Sequence, residues 1–283
     1  NQADFALWKF NAKIGWDSPW GKGFPGWHIE CSAMARATLG EQIDIHTGGI
    51  EHIPVHHNNE IAQSECATGR KPFSRFWLHR AHIQIDGKKI SKSLGNVAYL
   101  SEIIERGFHP LSFRYLLLGA HYRTPLNFTW DALAAAEKAF LRLRLMADNY
   151  PAGGEIPERY QKRMHKRFND DLDTASALAA LWEMVKDSNL SHAQIRAGII
   201  DADRVLGLNL AGVDEKATSA CVKQFGKKIE LKDLPESVQT MIEERNIARG
   251  KKEWEQADLL RKNLEGMGYV LEDSAEGTAV FQK

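Results

Sequence analysis

From Thr129 to Leu206 the sequence offers the chain little except helix. Leu133, Ala136, Phe140 and Leu143 recur at i, i+3, i+7 and i+10, which lines one helical face. Thr129 stands where an N-cap is needed, since its hydroxyl can accept from a free backbone N–H of the first turn. PAGG (151–154) breaks the pattern, and further helices are expected over 157–168, 174–187 and 192–206. A helix that buries only one stripe has to bury it against some other element.

Upstream the grammar differs. Residues 1–26 are rich in Trp, Gly and Pro (WDSPWGKGFPGW) and read as loop. GKGFPG matches the dinucleotide fingerprint formally, but no strand precedes it and Pro25 does not suit a tight turn into a helix, so that reading is rejected. Trp27, Cys31, Met34 and Thr38 fall at helical spacing, ended by Gly40. IDIH (43–46) is a short strand running into Gly48–Gly49, and 56–68 reads as a helix closed by Gly69. WLHRAHIQI (77–85) alternates as a strand does, and Asp86-Gly87 is a hairpin turn. Pro110 opens a helix through LSFRYLLLGAHY. LNLAGVDEKATSA (208–220) reads as a linker, and the tail carries helices at 236–249 and 254–265 and a terminal hairpin. The fold class is thus α/β followed by all-α, with a small α+β end.

Lys+Arg and Asp+Glu number 37 each in 283 residues, so bulk charge neither favours nor excludes nucleic acid. Cys31, Cys66 and Cys221 are odd in number and far apart, which suits a reducing, cytoplasmic setting better than a disulfide framework. No apolar run approaches the roughly 18 residues of a membrane span.

Two clusters carry chemistry. His56 and Glu60 lie four apart on one helical face, and Cys31 sits in the first turn of its own helix, where the dipole favours thiolate. Thiolate, imidazole and carboxylate make a zinc set with an open position. The same spacing also fits a core thiol, a surface histidine and a solvated acid. The second cluster, KKISKSLGN (88–96), has three lysines and no acid. It leaves the return arm of a hairpin. It suits a phosphate-binding loop, with ammonium groups and Ser hydroxyls facing phosphate oxygens, or equally a solvated turn.

GWHIECSAM (26–34), DIH-x-GG (44–49), HHNNEIAQS (56–64) and KISKSLGN (89–96), in this order and at these spacings, resemble cysteinyl-tRNA synthetases, as does the tail ARGKKEWEQADLLRKNLEGMGYVLED. The resemblance covers essentially the whole chain. It implies the second half of a Rossmann-type class I catalytic domain over 1–130, a DALR-type helical bundle over 131–210 and a small anticodon-binding region over 211–283. It implies ATP, Mg2+, L-cysteine and tRNA(Cys) as substrates and partners, and one zinc, held in part by Cys31, His56 and Glu60, that accepts the cysteine thiolate. KISKS resembles the family's KMSKS loop. Lys92 then contacts ATP, Lys89 is the second basic member, and Ile90, Ser91 and Ser93 complete the loop. Trp27 matches the tryptophan of the cysteine pocket. His46, Gly48 and Gly49 match the segment beside the amino acid and nucleotide.

Some residues depart from the family. Glu51 stands where the family usually has Asp, and one methylene can move a carboxylate by about an ångström. Asn58 replaces an acid, away from the His56–Glu60 edge. His57 is not a family ligand and reads as a second-sphere or surface residue. The family's other zinc cysteine and its HIGH signature lie upstream of DFALWK, where this chain begins. The expectation is a C-terminal part whose missing section, or a partner, supplies them. On the RNA side, Arg159, Lys162, Arg163, Lys166 and Arg167 form one basic stripe on a helix, and Arg245, Arg249, Lys251 and Lys252 flank Trp254, whose spacing to Ala257, Leu260 and Leu264 favours a core role. Three alternatives stand beside a ligase: a non-catalytic tRNA- and zinc-binding fragment or split subunit, a cysteine:amino-sugar ligase of related fold, and a zinc hydrolase. The last needs an H-E-x-x-H helix that the sequence does not contain.

Overall fold

The computed structural model describes residues 4–89, 99–274 and 277–282. Ile90, Ser91, Lys92 and Ser93 lie outside the described residues. The chain divides into two compact units, Asn1–Gln84 with Tyr122–Leu126, and Ile85–His121 with Asn127–Lys283.

In the first unit, β1 (Trp8–Phe10) and β2 (Gly23–Pro25) pair antiparallel within the stretch expected to be loop. Gly23 permits the pairing: a Cβ there would lie 2.2 Å from the Lys9 carbonyl oxygen. Helix α1 (Trp27–Leu39) ends where expected, at Gly40 with φ 97°. Strand β3 (Ile43–Gly49) leads through a π-type turn at Ile53–His57 into α2 (Asn58–Thr68), which Gly69 closes in the left-handed region at φ 72°. β4 (Ser74–Arg80) then returns parallel to β3, with His46 opposite Trp77. This is a β–α–β unit of the class that builds parallel sheets. The expected single strand over 77–85 is two: β4 stops at Arg80, Ala81 is buried, and β5 (Ile83–Ile85) follows.

In the second unit, Asp86 (φ 49°) and Gly87 (φ 73°) make the expected turn between β5 and β6 (Lys88–Lys89), and Asn127 Oδ1 accepts from Gly87 N–H at 2.7 Å. After α3 (Leu100–Glu105), α4 (Pro110–Leu118) opens on Pro110 but stops at Gly119, short of the expected end. A short strand, β7 (Leu126–Phe128), precedes α5 (Trp130–Asn149), which Thr129 caps by accepting from Ala132 N–H. Helices α6 (Glu158–Phe168), α7 (Thr174–Val185) and α8 (His192–Leu206) follow, the last opened by a Ser191–Gln194 capping box. Leu133, Ala136, Phe140 and Leu143 are all buried, as their spacing demands. Leu178 is buried and Trp182 half-buried, its Nε1 donating to the Tyr115 hydroxyl at 2.7 Å.

The segment read as a linker is structured. Leu208 and Leu210 are fully buried, and their N–H groups donate to the two Asp203 carboxylate oxygens. Arg144 reaches the carbonyls of Asn209 and Gly212. Asp214 then caps α9 (Glu215–Phe225), whose Ala217, Cys221 and Phe225 are buried at i, i+4 and i+8. Cys221 and Phe225 share one core with side chains of α5–α8. The α9 stripe is only three residues long, and just Ala217 of it falls inside the 208–220 segment that was read as a linker.

The tail carries β8 (Lys227–Ile229), α10 (Glu236–Gly250), α11 (Trp254–Gly266), β9 (Tyr269–Ser274) and β10 (Gly277–Gln282) in an antiparallel sheet ordered β8-β10-β9. A smaller core of Leu234, Val238, Ile242, Leu264, Tyr269, Leu271 and Val280 holds it. Trp254 corrects the expectation: Ala257, Leu260 and Leu264 are buried, but Trp254, at the first position of α11, is 58% exposed. Among the described residues, no helix is long and apolar enough to cross a membrane.

Candidate metal centre

Three elements of the first unit bring Cys31, His56 and Glu60 together. Cys31 comes from the second turn of α1, as its fifth residue and not in the first turn as expected, His56 from the π-type turn and Glu60 from the first turn of α2. The π-type turn puts more residues in each turn than an α-helix does, a feature frequent at functional sites. The ligand atoms of the three residues all lie within 4.8 Å of one another. Glu60 is fully buried and His56 nearly so.

The atoms fit a cation. Glu60 Oε1 lies 2.5 Å from His56 Nε2, yet among the described residues it has no hydrogen-bond partner. A fully buried carboxylate oxygen thus faces an imidazole nitrogen and a thiol, the kinds of donor atom that share a metal ion. Burial, and then the Glu60 carboxylate, push the Cys31 thiol above its usual range. Burial also holds His56 below the ordinary imidazole range, against the pull of Glu60 and with the help of His28, His52 and His46. A divalent ion among the three removes both penalties, and thiolate, imidazole and carboxylate are a zinc-type donor set.

Around this trio is a ring of imidazoles that sequence spacing did not reveal. His28 Nδ1 lies 2.8 Å from His56 Nδ1, so one of the two nitrogens carries the hydrogen. If His56 donates there, its Nε2 keeps a lone pair toward Cys31 and Glu60. His57 is buried, not a surface residue, and its Nδ1 is 2.7 Å from His79 Nε2. Burial, followed by His46, His79, His52 and His56, lowers the His57 pKa to about 4. Burial, then His46, His52 and Arg123, also lowers that of His79. The pair is therefore neutral near pH 7. His28 and His52 precede Cys31 and His56 by three and four positions, a signal that helical spacing could have supplied. His79 comes from β4 and is visible only once the parallel register is known.

The other expected residues fall as follows. Trp27 stacks on the His56 ring, with centroids 4.4 Å apart and planes at 20°. His46 Nε2 bonds Glu60 Oε2, and a second trio, His46, His57 and Glu60, also lies within 4.8 Å. Gly48 must be glycine: a Cβ would meet His57 Cε1 at 2.5 Å and His52 Nδ1 at 2.9 Å. At Gly49 a Cβ would meet only the half-exposed Glu51 carboxylate, 2.1 Å from Oε2, which can swing aside. The half-exposed Glu51 carboxylate lies 3.8 Å from His52 Nε2 and 3.6 Å from His82 Nε2. Asn58 is exposed and turned to the Pro54 carbonyl. Lys89 ends β6, and the loop from Ile90 onward lies outside the described residues.

The basic clusters are less free than their sequence suggests. On α6, Lys162 Nζ is 2.5 Å from Glu158, Arg163 is bidentate to Glu183, and Arg159 and Arg167 each lie 3.7 Å from an aspartate, Asp187 and Asp173. In the tail, Arg245 is buried and bidentate to Asp273, which Arg249 also contacts.

Comparison with known proteins places these residues in a family. The model of tRNA synthetases class I (C) catalytic domain matches residues 1–138, and that of the cysteinyl-tRNA ligase anticodon binding domain matches 231–280. A cysteine–tRNA ligase 1 of Burkholderia lata is 43% identical over 284 residues, covering 98% of this chain and 57% of its own length. A cysteine–tRNA ligase of Chlamydia felis is 42% identical, covering 99% of this chain and 60% of its own. The chain belongs to the cysteine–tRNA ligase family. It spans about 57–60% of the length of these relatives. A solved ternary complex of Agrobacterium radiobacter K84 agnB2 LeuRS with tRNA and LeuAMS aligns with a TM-score of 0.50 at 15% identity, over 94% of this chain and 43% of that one. At that identity the likeness is one of fold alone. A class I catalytic fold followed by an anticodon-binding domain is thus the coarse architecture. The match over 231–280 disfavours the amino-sugar ligase, which has no such region to match.

Proposed function

We propose that the protein to which this chain belongs ligates L-cysteine to tRNA(Cys). It first activates the cysteine carboxylate with ATP and Mg2+, releasing pyrophosphate, and then passes the cysteinyl group to the terminal ribose of the tRNA. The convergence of the Cys31, His56 and Glu60 ligand atoms within 4.8 Å of one another, with Glu60 fully buried, supports this reading. These three side chains would hold one zinc ion. Bound there, zinc supplies a soft partner for the substrate thiolate, which a serine hydroxyl matches poorly.

The remaining roles belong to the protein's own side chains. Trp27, stacked on His56, forms a flat apolar wall for a small side chain. Gly48 and Gly49, with no Cβ, let a substrate approach the β3 backbone, and Glu51 and His46 border that approach. Lys89 and Lys92, with Ile90, Ser91 and Ser93, would face the phosphates and the charge that develops during adenylation. Catalysis on this reading is positioning plus charge stabilisation. The domain assignment that accompanies it is catalytic over 1–130, a DALR-type bundle over 131–210 and a tRNA-binding tail over 211–283. In that tail the exposed Trp254 is available to stack on a base. Three free thiols support a reducing, cytoplasmic setting.

The test is Cys31→Ser in the full-length protein. Bound zinc is expected to fall well below one per chain, and discrimination between cysteine and serine in pyrophosphate exchange to fall with it. Retention of stoichiometric zinc and of full discrimination would show the ligand set to be wrong.

A further inference from the structure

Glu60 has two oxygens in two different situations. Oε1 faces His56 and Cys31 and lacks a hydrogen-bond partner among the described residues, while Oε2 is bonded to His46 Nε2. With the carboxylate oxygen as acceptor, that bond takes its hydrogen from His46 Nε2. A nitrogen that carries its hydrogen has no lone pair for a metal. The second trio of His46, His57 and Glu60 is therefore poorly disposed to hold an ion of its own, and His57 Nδ1 is engaged with His79.

His46 is itself held by the sheet. The parallel register sets His46 opposite Trp77, and the two rings stack with centroids 4.6 Å apart and planes at 17°. Phe73 meets the imidazole edge-on at 6.0 Å, and the Thr47 carbonyl lies 3.3 Å from Nδ1. The ring therefore has little freedom to turn. A buried carboxylate with one oxygen tied to such a ring cannot rotate to present both oxygens to the same partner.

We infer that His46 is a positioning residue for the metal centre: by donating from Nε2 to Glu60 Oε2 it leaves Oε1 as the single oxygen offered toward Cys31 and His56. The inference rests on the zinc reading of those three residues. It gives His46 a role set by the β3–β4 register, beside its place at the border of the substrate's approach. Outer-sphere partners of this kind typically change metal affinity by about 10–100-fold when removed.

The experiment uses the full-length protein with cobalt(II) in place of zinc. It compares the unsubstituted protein with His46→Ala and with His46→Gln, whose side-chain amide can donate where Nε2–H does. Three quantities are read: cobalt per chain, affinity by chelator competition, and the visible d–d spectrum, which reports the oxygen ligation. The expected result is one cobalt per chain in the unsubstituted protein and in both variants. In His46→Ala the affinity falls by about 10–100-fold and the spectrum shifts. His46→Gln restores most of both. A purely structural role would weaken binding without moving the spectrum and would not be rescued by glutamine. Unchanged affinity and spectrum in His46→Ala overturn the inference and leave the metal reading intact. Two cobalt ions per chain, falling to one in His46→Ala, overturn it by making His46 a ligand. Failure of the unsubstituted protein to bind cobalt overturns the metal reading and the inference with it.

Discussion

A single carboxylate organises the candidate site, and what surrounds it decides how the site behaves. Glu60 is fully buried with one oxygen tied to His46 and the other turned to His56. Lys92 belongs to the same scale, because on the proposed reading its ammonium acts as a point charge toward phosphate. Lys92→Ala in the full-length protein is expected to depress cysteine-dependent pyrophosphate exchange by at least about 10²-fold, in line with removing one group that stabilises transition-state charge. tRNA affinity, measured by filter binding, should change little, and an equal loss in both would remove the loop assignment. Part of the centre was legible one residue at a time, in the four-residue spacing of His56 and Glu60. Cys31, expected in a first helical turn that favours thiolate, is instead the fifth residue of α1, and burial with Glu60 holds its thiol above the usual range. The imidazole ring around the centre was not legible. His28, His57 and His79 meet their partners through contacts 22 to 28 positions apart in sequence, and no local period encodes such contacts.

Among the secondary elements, the lesson comes from the tail and from α9. Arg245 of α10 looked like part of an RNA-facing basic cluster. It is instead buried and bidentate to Asp273 of β9, with its Nε unpartnered among the described residues. Asp273→Ala would leave that guanidinium buried without its counter-ion and is expected to destabilise the tail by about 3–5 kcal/mol, measured by urea unfolding. The pair also sets an acid limit. Burial alone would raise the Asp273 pKa, but hydrogen bonds and charge from Arg245, with Thr278 and Arg249, outweigh it and hold the carboxyl below the usual range. A depressed carboxylate contributes stability above its unfolded pKa of about 3.9, and that stability is lost as pH falls through the lower folded value. Asp273→Ala should therefore lose its effect on stability as acid is added below about pH 4. Helix ends were readable because Thr129, Pro110, Gly40 and Gly69 each do a local job. Helix α9 was not, because the residues that fix its approach, Arg144 and Asp203, lie more than a helix away in sequence.

At the scale of the whole molecule, the two units differ in what holds them. The second has a large apolar core that includes Tyr115 and Phe281 and a smaller one in the tail, whereas the first buries His56, His57 and Glu60 at the candidate metal centre. Removal of metal by chelation is expected to lower the melting temperature of the first unit, by an amount set by metal concentration over dissociation constant. The helical transition of the second unit should stay in place, so tryptophan fluorescence and helical circular dichroism would separate. A single shifted transition in both signals would count against a metal confined to the first unit. The class of fold was legible at this scale because a β–α–β period gives way to a purely helical one. The pairing of β1 with β2 was hidden because a Trp-, Gly- and Pro-rich stretch carries no strand period. The α6 stripe has a consequence of its own. Its cations at Arg159, Lys162, Arg163 and Arg167 are already matched to carboxylates. A polyanion arriving there would have to exchange one set of anions for another. The release of condensed counterions that ordinarily drives protein onto RNA would then be partly offset by re-solvating the displaced carboxylates, and attraction to this face would depend only weakly on ionic strength.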